Sequence, residues 1–220
     1  MNQTHPSPNF GDRRGKRVDL IVLHYTAMAS AAEVLARLCD PGPEVSAHYL
    51  IDRDGTVFAL VDETMRAWHA GAGEWGGEGD VNSRSIGIEL QNTGAEPFAE
   101  PQMAALEGLL ADLLRRHTLP PCAVIAHSDM APDRKGDPGA RFDWRRLAAQ
   151  GLAVWPTSAE PSDFQADLHA FGYPDAPTDT LLTAFRLRFR PWAKGPLDDT
   201  DRALAAGLRR IAVDGGALRA

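Results

Sequence analysis

Cysteine, tyrosine and long apolar runs are all scarce in this 220-residue chain, and each shortage excludes something. A helix that crosses a bilayer needs about 20 consecutive apolar residues, and no segment approaches that, so no transmembrane span is expected. The two cysteines, Cys39 and Cys122, lie far apart and form no CxxC pair. Two ordinary buried thiols are expected rather than one disulfide. Basic charge is also short: 23 Lys and Arg against 30 Asp and Glu leave a net charge of −7, the wrong sign for a nucleic-acid partner. The N-terminus, MNQTHPSPNFGDRRGKR, has no apolar core and is no secretory signal as it stands. That points to a cytoplasmic location, with the periplasm or envelope as the alternative if an exported precursor was trimmed. There is no internal repeat and no low-complexity tract.

What is present is ordinary for a globular protein, with 44% hydrophobic and 24% charged residues. VDLIVLHY over 18–25 is apolar on both parities, as expected of a strand buried on both faces. Ser30 and Glu33 read as a capping box that opens a short helix through about Leu38. Two apolar runs within 47–61 flank Asp54-Gly55, a hairpin-turn signal. The glycine-rich stretch 64–82, with Trp68 and Trp75, has no clear period and reads as a loop. SIGIELQ over 85–91 is another short strand. Met103, Leu106, Leu109, Leu110, Leu113 and Leu114 recur at helical spacing and predict an amphipathic helix of about four turns. A further strand is expected over 122–127, followed by the turn-rich MAPDRKGDPG.

Interleaved strands and helices of this kind predict an α/β layer domain over 1–156, with a mixed central β-sheet flanked by helices. TSAEP over 157–161 reads as a linker. The remainder, 162–220, is purely helical and predicts a small three-helix C-terminal domain near the lower size limit for independent folding. Its first helix is expected to open on a capping box made by Ser162 and Gln165.

His24 and His127 each stand at the expected carboxyl end of a strand, where ligands gather in α/β sheets. In SIGIEL, Glu89 shares a face with Gly87 while Ile86, Ile88 and Leu90 share the other. A carboxylate in such a strand must be paired, exposed in a cleft, protonated, or on a solvent-facing edge, because burying it alone is costly. The loop after His127 offers Asp129, Asp133 and Asp137, with Lys135 nearby. Two histidines and a carboxylate with a fourth position left to water make a recognised catalytic zinc set. Spacing cannot select among the three aspartates, and it leaves His48 and His69 as rival ligands.

The strings IVLHYT, VSAHYLIDRDGTVFALV, AWHAG, NSRSIGIELQN and AHSDMAPDRKGDPG occur in one order. Together they resemble the N-acetylmuramoyl-L-alanine amidases of the AmpD and AmiD type, the amidase-2 family, over roughly 18–155. The resemblance implies the fold shared with peptidoglycan-recognition proteins. It also implies zinc held by His24, His127 and Asp137, with Glu89 as the catalytic carboxylate and Lys135 as the basic residue beside the metal. Trp68, His69 and Asn82 are the substrate-binding candidates it leaves in the cleft, with Trp75 as a further wall residue, and His48 returns to a structural role. The implied reaction is hydrolysis of the amide between N-acetylmuramic acid, or its 1,6-anhydro form, and L-alanine. The partner would be peptidoglycan fragments or the sacculus, and the helical tail, from FQADLHAFGY onward, resembles a peptidoglycan-binding domain. The alternative reading is a non-catalytic peptidoglycan-recognition module.

Overall fold

A computed structural model of the chain describes residues 2–214. Its strands in chain order are β1 (Asn2–Thr4), β2 (Phe10–Gly11), β3 (Leu20–Tyr25), β4 (Tyr49–Ile51), β5 (Val57–Ala59), β6 (Arg66–Ala67), β7 (Ser85–Leu90) and β8 (Val124–Ala126). Six of them form one mixed sheet in the order β1-β5-β4-β7-β3-β8, and β2 with β6 makes a separate short pair. Every neighbour in the large sheet is parallel except the β4–β5 hairpin. The helices are α1 (Ala31–Leu38), α2 (Val81–Arg84), α3 (Glu100–His117), α4 (His127–Met130), α5 (Trp144–Ala149), α6 (Phe164–Phe171), α7 (Thr178–Phe189) and α8 (Asp199–Asp214). Residues 215–220, assigned above to the helical tail, lie outside the described residues.

The double-sided apolar pattern of β3 is used on both faces. Ile21 and Leu23 pack with Leu106, Leu110 and Leu113 of α3, while Leu20 and Val22 pack with Phe164, Phe185 and Leu208 of the tail helices. Side chains alternate across a strand, so His24 falls on the tail side of the sheet, one step beyond Val22. The tail is held along its connecting segment too: the Ala159 N–H donates to the Ala203 carbonyl at 2.9 Å. The hairpin turn is as expected, and Gly55 has φ +87°, with the Pro101 carbonyl where a Cβ would be. Ser30 caps α1 by accepting from the Glu33 N–H at 3.3 Å.

Three local expectations need correction. The segment 122–127 is not one strand: a single 3-10 turn precedes β8, and His127 opens α4 rather than ending the strand. The Asp129 carboxylate accepts from the Ala126 N–H at 2.9 Å and so turns the chain into a helix at that point. The first tail helix is capped by Asp163, which accepts from the Ala166 N–H, while Ser162 reaches Asp167 instead. The stretch 64–82 contains β6 and the start of α2, so it is only partly loop. Finally, β1, β2 and α5 carry no strong sequence period, being only three, two and six residues long.

His48 is a core residue. Its Nδ1 accepts from the Gly87 N–H at 2.9 Å, which leaves Nε2 as the protonated nitrogen, donating to the Met65 carbonyl at 3.1 Å. Burial chiefly, opposed by the Met65 bond and reinforced by Arg13, lowers this imidazole to about 3. The unfolded chain therefore binds a proton here that the folded chain refuses. The stabilising contribution is complete above the unfolded value near 6.5 and is lost as pH falls from there toward about 3. Stability of the metal-free protein should drop over that range, with His48 contributing about one proton to the slope. Denaturant melts across the range should show the slope reduced by about one proton in His48→Asn, whose Oδ1 can still accept from Gly87. An unchanged slope would assign the acid sensitivity elsewhere.

Candidate metal centre

His24, His127 and Asp137 converge at the carboxyl end of β3 and β8. His24 Nδ1 lies 2.9 Å from His127 Nδ1 and 3.0 Å from Asp137 Oδ2, and His127 Nδ1 is also 3.0 Å from Asp137 Oδ2. Both histidines are buried and Asp137 is half-buried. Among the described residues these three make the group of ligand type close enough to share one ion.

The outer nitrogens decide what the inner ones can offer. His127 Nε2 faces the Ala70 carbonyl at 2.9 Å and must donate to it, so its Nδ1 carries a lone pair. On the other side, the Ser85 hydroxyl donates to the Val81 carbonyl at 2.6 Å, so its oxygen accepts from His69 Nε2 at 3.0 Å. His69 Nδ1 is then the acceptor of the His24 Nε2–H at 3.0 Å, and His24 Nδ1 likewise turns a lone pair inward. Burial first, then His127, lowers the His24 imidazole to about 4, so it stays neutral. Three acceptors thus face one another at about 3 Å with no proton between them, an arrangement that fits a cation.

The three aspartates of the loop have separate fates. Asp133 is exposed, Asp129 is fully buried against Arg188 and Tyr173, and Asp137 alone joins the histidines. Glu89 stands directly opposite His24 in the β3–β7 register. Because β7 lies between β4 and β3, the edge-strand reading of Glu89 is excluded. Its Oε2 is buried with no hydrogen-bond partner. Desolvation, then the Asp137 charge, raise the carboxyl to about 8, and Lys135 acts in the opposite direction. Lys135 itself is exposed and lines the cleft over these groups.

The cleft of about 410 Å³ is lined by His24, Glu89, His127, Asp137, Trp68 and Arg37, among others, and a second of about 450 Å³ adjoins it. Trp68 and His69 line both. Asn82 also borders the second cleft, but its side-chain oxygen is taken up by the N–H groups of His69 and Ala70, at 3.0 and 2.8 Å. It shapes the loop that carries Trp68 and His69. Trp75 is not a wall residue: it is fully buried against Phe171 and Tyr173. Ser85 and Arg134 were missed in the sequence. Arg134 donates to the Ala70 carbonyl at 2.6 Å and to that of Ala72, tying the metal loop to the AWHAG loop. Ser85 shares strand parity with Gly87 and Glu89, a signal that could have found it. Gly87 is needed because the His69 ring occupies the space where a Cβ would sit, 2.3 Å from its Cγ.

Residues 14–140 match the family model described as N-acetylmuramoyl-L-alanine amidase. Over 230 aligned residues the chain is 34% identical to the N-acetylmuramoyl-L-alanine amidase AmiD of Escherichia coli, covering 87% of this chain and 82% of that protein. A solved structure of E. coli AmiD, in complex with the substrate anhydro-N-acetylmuramic acid-L-Ala-D-gamma-Glu-L-Lys, superposes with a TM-score of 0.80 at 33% identity, covering 91% of this chain and 90% of that one. AmpDh3 of Pseudomonas aeruginosa, in complex with anhydromuramic pentapeptide, superposes with a TM-score of 0.78 at 31% identity, covering 93% and 94%.

Proposed function

Since the chain belongs to the N-acetylmuramoyl-L-alanine amidase family and is a hydrolase of that class, we propose that it cleaves the amide between the lactyl group of anhydro-N-acetylmuramic acid and L-alanine, using zinc held by His24, His127 and Asp137. The observation that carries the metal reading is the convergence of His24 Nδ1, His127 Nδ1 and Asp137 Oδ2 to within about 3 Å of one another, with the outer nitrogens of both rings engaged elsewhere. Their identity, two imidazole nitrogens and one carboxylate oxygen, suits zinc and leaves room for water in a fourth position. When bound there, zinc supplies Lewis acidity, lowering the pKa of water toward neutrality.

The remaining work falls to the protein's side chains. Glu89 accepts the proton of the attacking water and returns it to the departing L-alanine nitrogen. Its raised value suits that task, because a general base works best near the operating pH, and any cation in the site shifts it further down from about 8. The Lys135 ammonium stabilises the negative charge that grows on the lactyl carbonyl oxygen. Trp68 and His69 provide the adjoining surface for sugar or peptide. Arg37, Arg66, Arg134 and Lys135 bring four cations to the two clefts, against the carboxylates Glu44, Glu89 and Asp137, in a chain with a net charge of −7. That local reversal of sign suits the carboxylates of a stem peptide.

Zinc-loaded protein should release the free peptide from anhydro-N-acetylmuramyl-L-Ala-D-γ-Glu-L-Lys, and protein stripped with a chelator should not. Stoichiometric zinc with no peptide released would replace this reading with a recognition module. Intact sacculi assayed in parallel test the compartment: turnover on the soluble fragment alone favours a cytoplasmic recycling role, and turnover on both favours the envelope.

A further inference from the structure

Asp129 lies two residues beyond His127, yet its carboxylate points away from the metal centre into the tail. Its Oδ2 accepts from the Ala126 N–H at 2.9 Å and from the Arg188 guanidinium. Its Oδ1 accepts from the Tyr173 hydroxyl at 2.5 Å. Arg188 also donates to the Val124 carbonyl at 3.1 Å and stacks 4.1 Å over the Trp144 ring. All of this is sealed from water: Asp129, Tyr173 and Arg188 are 0%, 1% and 2% exposed.

Arg188 belongs to α7, and Tyr173 follows directly on α6. Two residues of the tail therefore grip the strand end that delivers His127, one at Val124 and both through Asp129. A buried ion pair is a poor source of net stability, since desolvation cancels most of its attraction. What it supplies is a fixed geometry. Burial, then the Asp129 charge, hold the Tyr173 phenol well above its ordinary range, so the hydroxyl remains a donor. A second buried pair, Arg186 with Asp201, lies entirely within the tail and touches none of this.

We propose that Tyr173 and Arg188 are positioning residues for the metal centre: through Asp129 they fix the corner between β8 and α4, and with it the aim of His127. On this reading the helical tail is part of the catalytic unit, whatever else it binds. The inference rests on the assignment of the metal to His24, His127 and Asp137.

The test is zinc affinity, measured by chelator competition at a temperature where circular dichroism shows each variant folded. Tyr173→Phe, which keeps the ring and removes only the hydroxyl, and Arg188→Met should each bind zinc about 10- to 100-fold more weakly, the range for groups that orient metal ligands. Asp201→Asn breaks the pair internal to the tail and should leave zinc affinity within about twofold of the parent, since it touches no group that orients a ligand. Should Arg188→Met fail to fold, Tyr173→Phe decides. Folded Tyr173→Phe with parental zinc affinity overturns the proposal, as does an Asp201→Asn variant weakened to the same degree. A parent that binds zinc no better than His24→Ala would instead overturn the metal assignment itself.

Discussion

Glu89→Ala should lose turnover by about 100-fold or more while keeping its fold and its zinc, the scale expected when a general base is removed. Among the described residues that line the cleft holding the metal group, no other carboxylate is free to take over. Asp137 is committed to the metal group, Asp129 to Arg188 and Tyr173, and Asp133 is exposed. The loss should be confined to catalysis, because Glu89 Oε2 is buried without a partner and forfeits no hydrogen bond when deleted. Removing a buried, unpaired carboxyl relieves a desolvation cost. The melting temperature of the metal-free variant should therefore equal or exceed that of the parent, which separates this effect from misfolding. Full activity in a zinc-loaded Glu89→Ala protein would take Glu89 out of the mechanism.

The second large effect is on the metal itself. Asp137→Ala should weaken zinc binding by more than about 100-fold, beyond the 10- to 100-fold typical of groups that only orient ligands. The substitution removes the one anion from the trio and leaves two imidazole nitrogens 2.9 Å apart. Asp133→Ala, on the exposed side of the same loop, should bind zinc like the parent. Chelator competition on the two variants gives the answer directly, and the reverse order would assign the third ligand to Asp133. Turnover at limiting zinc should follow the same order.

The resemblance supplied Asp137, and residue spacing alone could not have. Asp129, Asp133 and Asp137 are evenly placed in a turn-rich segment, and what separates them is the α4 turn, which sends Asp129 toward Arg188 and brings Asp137 back to the histidines. That turn escaped the sequence reading because the apolar run through Ala126 continues into His127 without a break in pattern, and the N–H taken by Asp129 has no local signature. The strands β3 and β7 and helix α3 were legible because their apolar residues fill whole faces of the core. The polar strand β1 was not, since Asn2–Thr4 earns its place only by pairing with β5. Glu89 was legible as an anomaly, a carboxylate among isoleucines, though its place beside His24 needed the parallel register of β3 and β7. Strand parity marks the position of Ser85, but that Ser85 and His69 orient another residue's nitrogen comes only from contacts made in the fold.

The shared core of sheet and tail bears on how such a chain can change over evolutionary time. A wall-binding module joined by a loose tether can be gained, lost or traded between enzymes as a cassette. Here Phe164, Phe185 and Leu208 share one buried cluster with Leu20 and Val22 of the strand that carries His24. Removing α6–α8 would bare an apolar face on the side of the sheet that carries His24, and grafting in a foreign tail would require rewriting that face at the same time. The tail is heritable only together with the surface it covers.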